Sequence, residues 1–217
     1  MYVGRCLPPP IVGGGQCIRA FWRTASLCFA ALSVVGSSLG CGIVPATLQP
    51  DERQPNAVAL LLRTADGSAT ANAPIQPASA LDMLYDTTRS ELTLGGLSLR
   101  LAPVSLDVEG GVHVDVAETT ASLDLSGGLP MAPVDSAGNF QVELNLVAAT
   151  AVTIEGVTIP FVHTTGGPAQ GHIEYDPAGG SMAVALEGTE LVRFLLFWGP
   201  DLLVLTGDIT ANFSNPG

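Results

Sequence analysis

Beyond Ser90, apolar and polar residues alternate with a period of two through ELTL, LSLRLA, VSLDV, VHVDV, ASLDL, FQVELNLV, VTIEGVTIPFV, HIEY and MAVALEG. Successive side chains on a strand point to opposite faces, so this pattern builds half-buried strands and offers no apolar stripe to a helix. Glycine pairs cut the pattern at Gly95-Gly96, Gly110-Gly111, Gly127-Gly128, Gly166-Gly167 and Gly179-Gly180. Short strands divided by glycine turns predict an all-β fold, either an antiparallel β-sandwich or a closed β-barrel. The spacings are irregular and contain no true repeat.

Alternation also fixes one register. In VSLDVEGGVHVDV the apolar positions are Val104, Leu106 and Val108, then Val112, Val114 and Val116. A two-residue Gly-Gly turn would put the second set on the wrong face. A three-residue loop through Glu109, Gly110 and Gly111 pairs Val108 with Val112 and keeps both sets together. Asp107 then lies opposite His113, and Ser105 opposite Asp115. Two carboxylates and an imidazole on one face read either as a weak divalent-metal or acid–base candidate (Asp107, His113, Asp115) or as an exposed cross-strand ion pair. His172, Glu174 and Asp176 share a second polar face, opposite Ile173 and Tyr175.

The last stretch, ELVRFLLFWGPDLLVLTGDITANF, breaks the pattern with consecutive apolar residues at 194–198 and 202–205. Such runs predict strands covered on both faces, a hairpin at the centre of the core. The alternative is a groove for an apolar ligand, lined by Phe194, Phe197 and Trp198. Upstream, residues 57–64 read as a strand, residues 65–79 as a loop by composition, and ALDMLYDTTR as one or two helical turns.

Cysteine divides the chain. Cys6, Cys17, Cys28 and Cys41 are the only ones, so the 176 residues that follow have no disulfide framework, thiolate metal site or cysteine nucleophile. Ahead of Cys41, Arg19 and Arg23 precede TASLCFAALSVVGSSLG, and no charge returns until Asp51. A positive flank, a short apolar stretch and then small residues is the order of an export signal, too short to span a ~30 Å hydrocarbon core comfortably. The Pro- and Gly-rich segment before it reads as a start codon assigned too early. Ser38, Leu39, Gly40 and Cys41 resemble the lipobox of bacterial lipoproteins. That resemblance implies an acylated Cys41 as the first mature residue and, with Gly42 next, sorting to a Gram-negative outer membrane, facing periplasm or cell surface. Several acyl chains, at ~0.8 kcal/mol per buried methylene, anchor stably where one does not. Residues 1–40 are thus expected to be the export signal. Residues 41–56, with prolines at 45, 50 and 55, are expected to be the anchor cysteine and a flexible tether, and residues 57–217 a single β domain.

Charge narrows the partners. Residues 42–217 carry five arginines, no lysine and all twenty acids, a formal charge of −15. Such a surface repels phosphate backbones, so nucleic acid is not an expected partner. Nucleophile elbows, S-x-x-K, phosphate loops and H-E-x-x-H are all missing from the sequence, and no cofactor motif is present. The expected function is a lipid-anchored envelope domain that binds a partner protein or serves a structural role. Three alternatives stand beside it: a carrier of an apolar ligand between the sheets, a hydrolase using paired carboxylates, and a small outer-membrane barrel.

Overall fold

In the computed structural model the chain is described for residues 42–108, 112–198 and 201–215. Every regular element among them is a strand. In order these are β1 Ile43–Pro50, β2 Ala57–Arg63, β3 Ser68–Pro74, β4 Ala80–Asp86, β5 Glu91–Leu101, β6 Val104–Val108, β7 Val112–Val116, β8 Thr119–Leu123, β9 Met131–Pro133, β10 Asn139–Ile154, β11 Val157–Asp176, β12 Ser181–Trp198 and β13 Asp201–Ser214. All pairings are antiparallel.

Eight strands close into a barrel in the order β1-β4-β5-β8-β10-β11-β12-β13, and β13 returns to β1 through Gln49↔Ser214 and Pro50↔Phe213. The short β9 pairs with β5 at Leu92↔Ala132, beyond the end of β8, and so fills the same slot lower down. The four last strands outrun the barrel. Pairing of β11 with β12 stops at Ala169↔Gly188, whereas β10–β11 continues to Ile154↔Val157 and β12–β13 to Trp198↔Asp201. Past that point two sheets face each other. One is extended by β7 and β6 on the edge of β10, the other by β2 and β3 on the edge of β13. Barrel and sandwich, alternatives in the sequence, are therefore the two ends of one structure.

A bulge makes the transition. Between Gly188↔Ile209 and Val192↔Gly207, β12 advances four residues while β13 advances two. Glu190 takes up the slack with φ 52°, and the Asp208 carboxylate accepts its N–H at 2.7 Å. The extra residues bend β12 away from β11.

One continuous core runs through both ends. It includes Leu48, Leu81, Met83, Leu99, Leu144, Leu146, Val184 and Phe213 in the barrel, and Leu62, Val114, Ile154, Phe194 and Leu205 in the sandwich. Outward positions of β10 carry Gln141, Glu143 and Asn145. A membrane-spanning barrel has the reverse arrangement, apolar outside and polar within.

Gly95-Gly96 and Gly166-Gly167, read as cuts between strands, lie inside β5 and β11, where backbone pairing continues through them. Three further sequence expectations need correction. Residues 43–50 are not a tether: β1 pairs with β4 from Ile43↔Asp86 to Leu48↔Leu81 and buries Leu48 completely. The link that follows is fastened too. The Asn56 amide donates to the carbonyls of Asp51 and Gln54 at 2.7 and 3.1 Å, and its oxygen accepts Asn212 N–H at 2.6 Å. Residues 68–74, read as loop, are β3 on the edge of β2. ALDMLYD is β4, not helix, because Leu81 and Met83 alternate into the barrel. By contrast, the register of β6 and β7 is as read: Asp107↔His113, Ser105↔Asp115 and Val108↔Val112. The loop joining them, residues 109–111, lies outside the described residues.

Candidate functional site

The space between the two sheets is small. Between the two sheets, Leu62, Val114, Val152, Ile154, Phe161, Phe194 and Leu205 enclose a cavity of only ≈ 10 Å³, about the volume that one water centre needs. Phe194 is core, packed against Phe161 with ring centroids 5.9 Å apart. Phe197 is not a neighbour of that space. It points outward and is 75% exposed, because odd and even positions of β12 face opposite ways. The proposed groove lining therefore separates, Phe194 inside and Phe197 outside; the side chain of Trp198 lies outside those described. Leu195, also on the outer face, is half exposed, so the hairpin is covered on one face only.

The Asp107–His113–Asp115 constellation does assemble, as a chain of ionic hydrogen bonds. His113 Nδ1 lies 2.6 Å from Asp107 Oδ1 and Nε2 lies 3.1 Å from Asp115 Oδ1. Asp115 also accepts the Ser105 hydroxyl at 2.5 Å. Hydrogen bonding to Asp107, then the charge of Asp115, raises the His113 pKa above its ordinary value. The Ser105 hydrogen bond, with help from His113, lowers that of Asp115. Both ring nitrogens lie within hydrogen-bonding distance of carboxylates, an arrangement that an imidazolium satisfies with its two N–H groups and that leaves that form no lone pair for a metal. Among the described residues no group of three ligating side chains is placed to hold one. The cluster is an exposed ion-pair chain on the outer face of β6 and β7.

A cleft of ≈ 640 Å³ opens instead at the mouth of the barrel. Strand ends and turns build it: Tyr85 lies near the end of β4, Thr87 in the turn after it, residues 135–138 in the turn before β10, His172, Glu174 and Tyr175 near the end of β11, and Pro177 just past it. Tyr85 shares its face with Leu81 and Met83, and Tyr175 shares its face with Ile173. Both rings therefore turn inward and meet edge to face, centroids 6.1 Å apart at 78°. They pack against the core and line the cleft.

A relay of hydrogen bonds shapes the rim. Asp135 accepts the N–H groups of Ala137 and Asn139, each at 2.8 Å, and the Asn139 amide at 3.0 Å. These bonds, the Asn139 side chain foremost, lower its pKa. With its NH2 committed to Asp135, Asn139 turns its oxygen to His172 Nδ1 at 3.2 Å. On the other side of the ring, His172 Nε2 lies 3.7 Å from Glu174 Oε1. Asp176 is not part of this face's chemistry; its carboxylate accepts Ala178 N–H at 2.9 Å and holds the turn. Sequence reading had placed His172 and Glu174 together, but only folding adds the tyrosines and Asn139.

The fold and the cleft define the class: an all-β protein, closed as an eight-stranded antiparallel barrel and opening at one end into a polar, aromatic-floored mouth. Comparison with protein-family models, curated proteins and solved structures finds no match for the chain.

Proposed function

We propose that this protein is an exported binding domain of the cell envelope, lipid-anchored at Cys41, which takes a hydroxyl- or amine-bearing ligand of the sugar class at its barrel mouth. The observation that carries this reading is the position of Gly42. Its carbonyl accepts both the backbone N–H of Thr87, at 2.6 Å, and the Thr87 hydroxyl, at 2.9 Å. Thr87 is itself part of the cleft wall. An acylated Cys41 would be the residue next to this fastened glycine in the chain.

Ligand class follows from the lining. Lysine and arginine are missing from the described wall, and Asp135 and Glu174 make it acidic, so an anion is repelled. Two tyrosine rings and several hydrogen-bonding groups suit a ring that carries hydroxyl or amino substituents. Binding is favoured over hydrolysis because Asp135 is engaged by its own turn, which leaves Glu174 without a second working carboxylate. Carriage of an apolar ligand between the sheets would require the packed side chains there to part.

Two measurements test the reading. Intact mass of the protein extracted from membranes should equal a chain beginning at an acylated Cys41; an unmodified Cys41 overturns the anchor. Calorimetric titration of the full chain with a glucosamine oligomer should give binding, and with a uronate oligomer none. Tyr175→Ala should weaken the amino-sugar affinity roughly tenfold, or about 1.4 kcal/mol. Equal binding of both oligomers, or of neither, overturns the site.

A further inference from the structure

We infer that the free edge of β12 above the bulge is a self-association edge, pairing with the same edge of a second copy of this chain. This surface lies at the opposite end from the mouth and does not rest on the anchor or the ligand proposed above.

The two edges exposed where β11 and β12 part are not alike. Glu155 and Gly156 form the two-residue turn joining β10 to β11, so the flanking pair Ile154↔Val157 is hydrogen-bonded, and odd positions of β11 bond to β10. Even positions face the open side. Pro160 and Pro168 occupy two of them, each lacking the N–H that a new strand would need. That edge is blunted against pairing. Across the gap, β12 has no proline. Asn215 N–H donates to the Met182 carbonyl, so even positions of β12 bond to β13. The bulge, four residues against two, keeps that phase, and Arg193, Leu195 and Phe197 turn their N–H and carbonyl groups outward. Among the described residues no strand pairs with β12 there.

Side chains mark the occupant as a second copy. On the outer face Leu195 is 51% and Phe197 75% exposed, with Leu202 beside them on β13 at 42%. An antiparallel pair centred on Leu195 sets Leu195 against its own mate. It also brings Arg193 of each copy beside Phe197 of the other, an apolar contact flanked by two cation–π contacts. The available donors and acceptors coincide in this register, since odd positions meet odd positions. Charge permits it as well. In a body of −15, residues 191–200 contain no acid and only Arg193 as a charge, so two copies can approach here without the repulsion their other surfaces impose.

The test is a disulfide trap in the full chain purified from its expressing cells. Leu195→Cys places two thiols in a hydrogen-bonded antiparallel pair, where Cα atoms lie about 5.5 Å apart, within disulfide reach. Mild oxidation should give a two-copy band on a non-reducing gel. Val162→Cys, still more exposed on the outer face of β11, should give no more than the parent chain. Adding Phe197→Asp to Leu195→Cys should reduce the band at least tenfold while the melting temperature stays within a few degrees. Equal bands from Leu195→Cys and Val162→Cys, a band unaffected by Phe197→Asp, or a crosslink to a different polypeptide each overturn the inference.

Discussion

Gly171 and Phe140 are cross-strand partners on β10 and β11, and the phenylalanine ring lies where a Cβ on residue 171 would stand. The same imagined Cβ would come within 2.7 Å of the Ala185 carbonyl, which is backbone and cannot yield. Gly171→Ala should therefore destabilise by about 1–3 kcal/mol, read from the denaturation midpoint. A change below a few tenths would mean that the strands have room to shift. His113 supplies a pH signature of opposite character, small and at the surface. Its folded pKa is raised by Asp107 and Asp115, so the stabilisation it brings is fully present below about 6.5 and is lost as pH rises through the higher folded value. An NMR titration should find the imidazole above 6.5, and lower in Asp107→Asn. No difference between the two proteins would remove Asp107 as the main cause. Residues of this kind were readable in advance where alternation was strict. The pairing Asp107↔His113 needed only the face rule and a loop length. Phe194 and Phe197 were misjudged as a pair because a run of apolar letters hides the alternation that still governs which way each one points.

At the scale of elements, the all-β class and the β12–β13 hairpin followed from residue pattern. The β10–β11 turn at Glu155-Gly156, however, falls inside VTIEGVTIPFV, read as one strand, and β1 and β3 were not legible as strands. Their apolar content is thin: β1 buries only Leu48 and contains two prolines, and β3 is mostly Ala, Ser, Thr and Asn. β1 is a strand because the distant edge of β4 supplies its hydrogen bonds, information that no local window contains, and β3 is one because the chain folds back on β2 through the turn at Thr64–Gly67. The barrel mouth was hidden for the same reason, since Tyr85 and Tyr175 become neighbours only when β4 and β11 curve around to the same end. Two connections test how such elements are held. Asn56 takes the place of a strand residue between the β1 and β2 segments of the β13 edge, and Asn56→Ala strands the Asn212 N–H. It should cost about 2 kcal/mol in chemical denaturation. Glu155 adopts φ 49° beside Gly156 at 81°, a pair of left-handed positions that asparagine tolerates better than glutamate. Glu155→Asn should stabilise by about 0.5 kcal/mol, and a loss of stability there would mean that the glutamate side chain has a role of its own.

Across the whole molecule, one strand does two jobs. β13 pairs with β12 along one edge, and along the other it pairs first with β2 and then, at its last residues, with β1. The seam that closes the barrel joins Gln49 and Pro50 to Phe213 and Ser214, positions from opposite ends of the described chain. Shortening the chain before Phe213 should accordingly open the barrel and expose Leu48 and the Tyr85–Tyr175 contact to solvent, measurable as loss of amide-exchange protection in β1 and β4. Retained protection in those strands would mean that the barrel stands without its seam. The same seam also imposes an order in time. Ring closure must wait for the final strand to leave the ribosome, so every earlier segment spends synthesis as an open, unsealed sheet. Closure across so long a loop is also slow by its nature, on the millisecond-to-second scale of topologies dominated by distant pairings. A barrel that cannot lock until β13 arrives stays pliable for as long as the strands before it are being made.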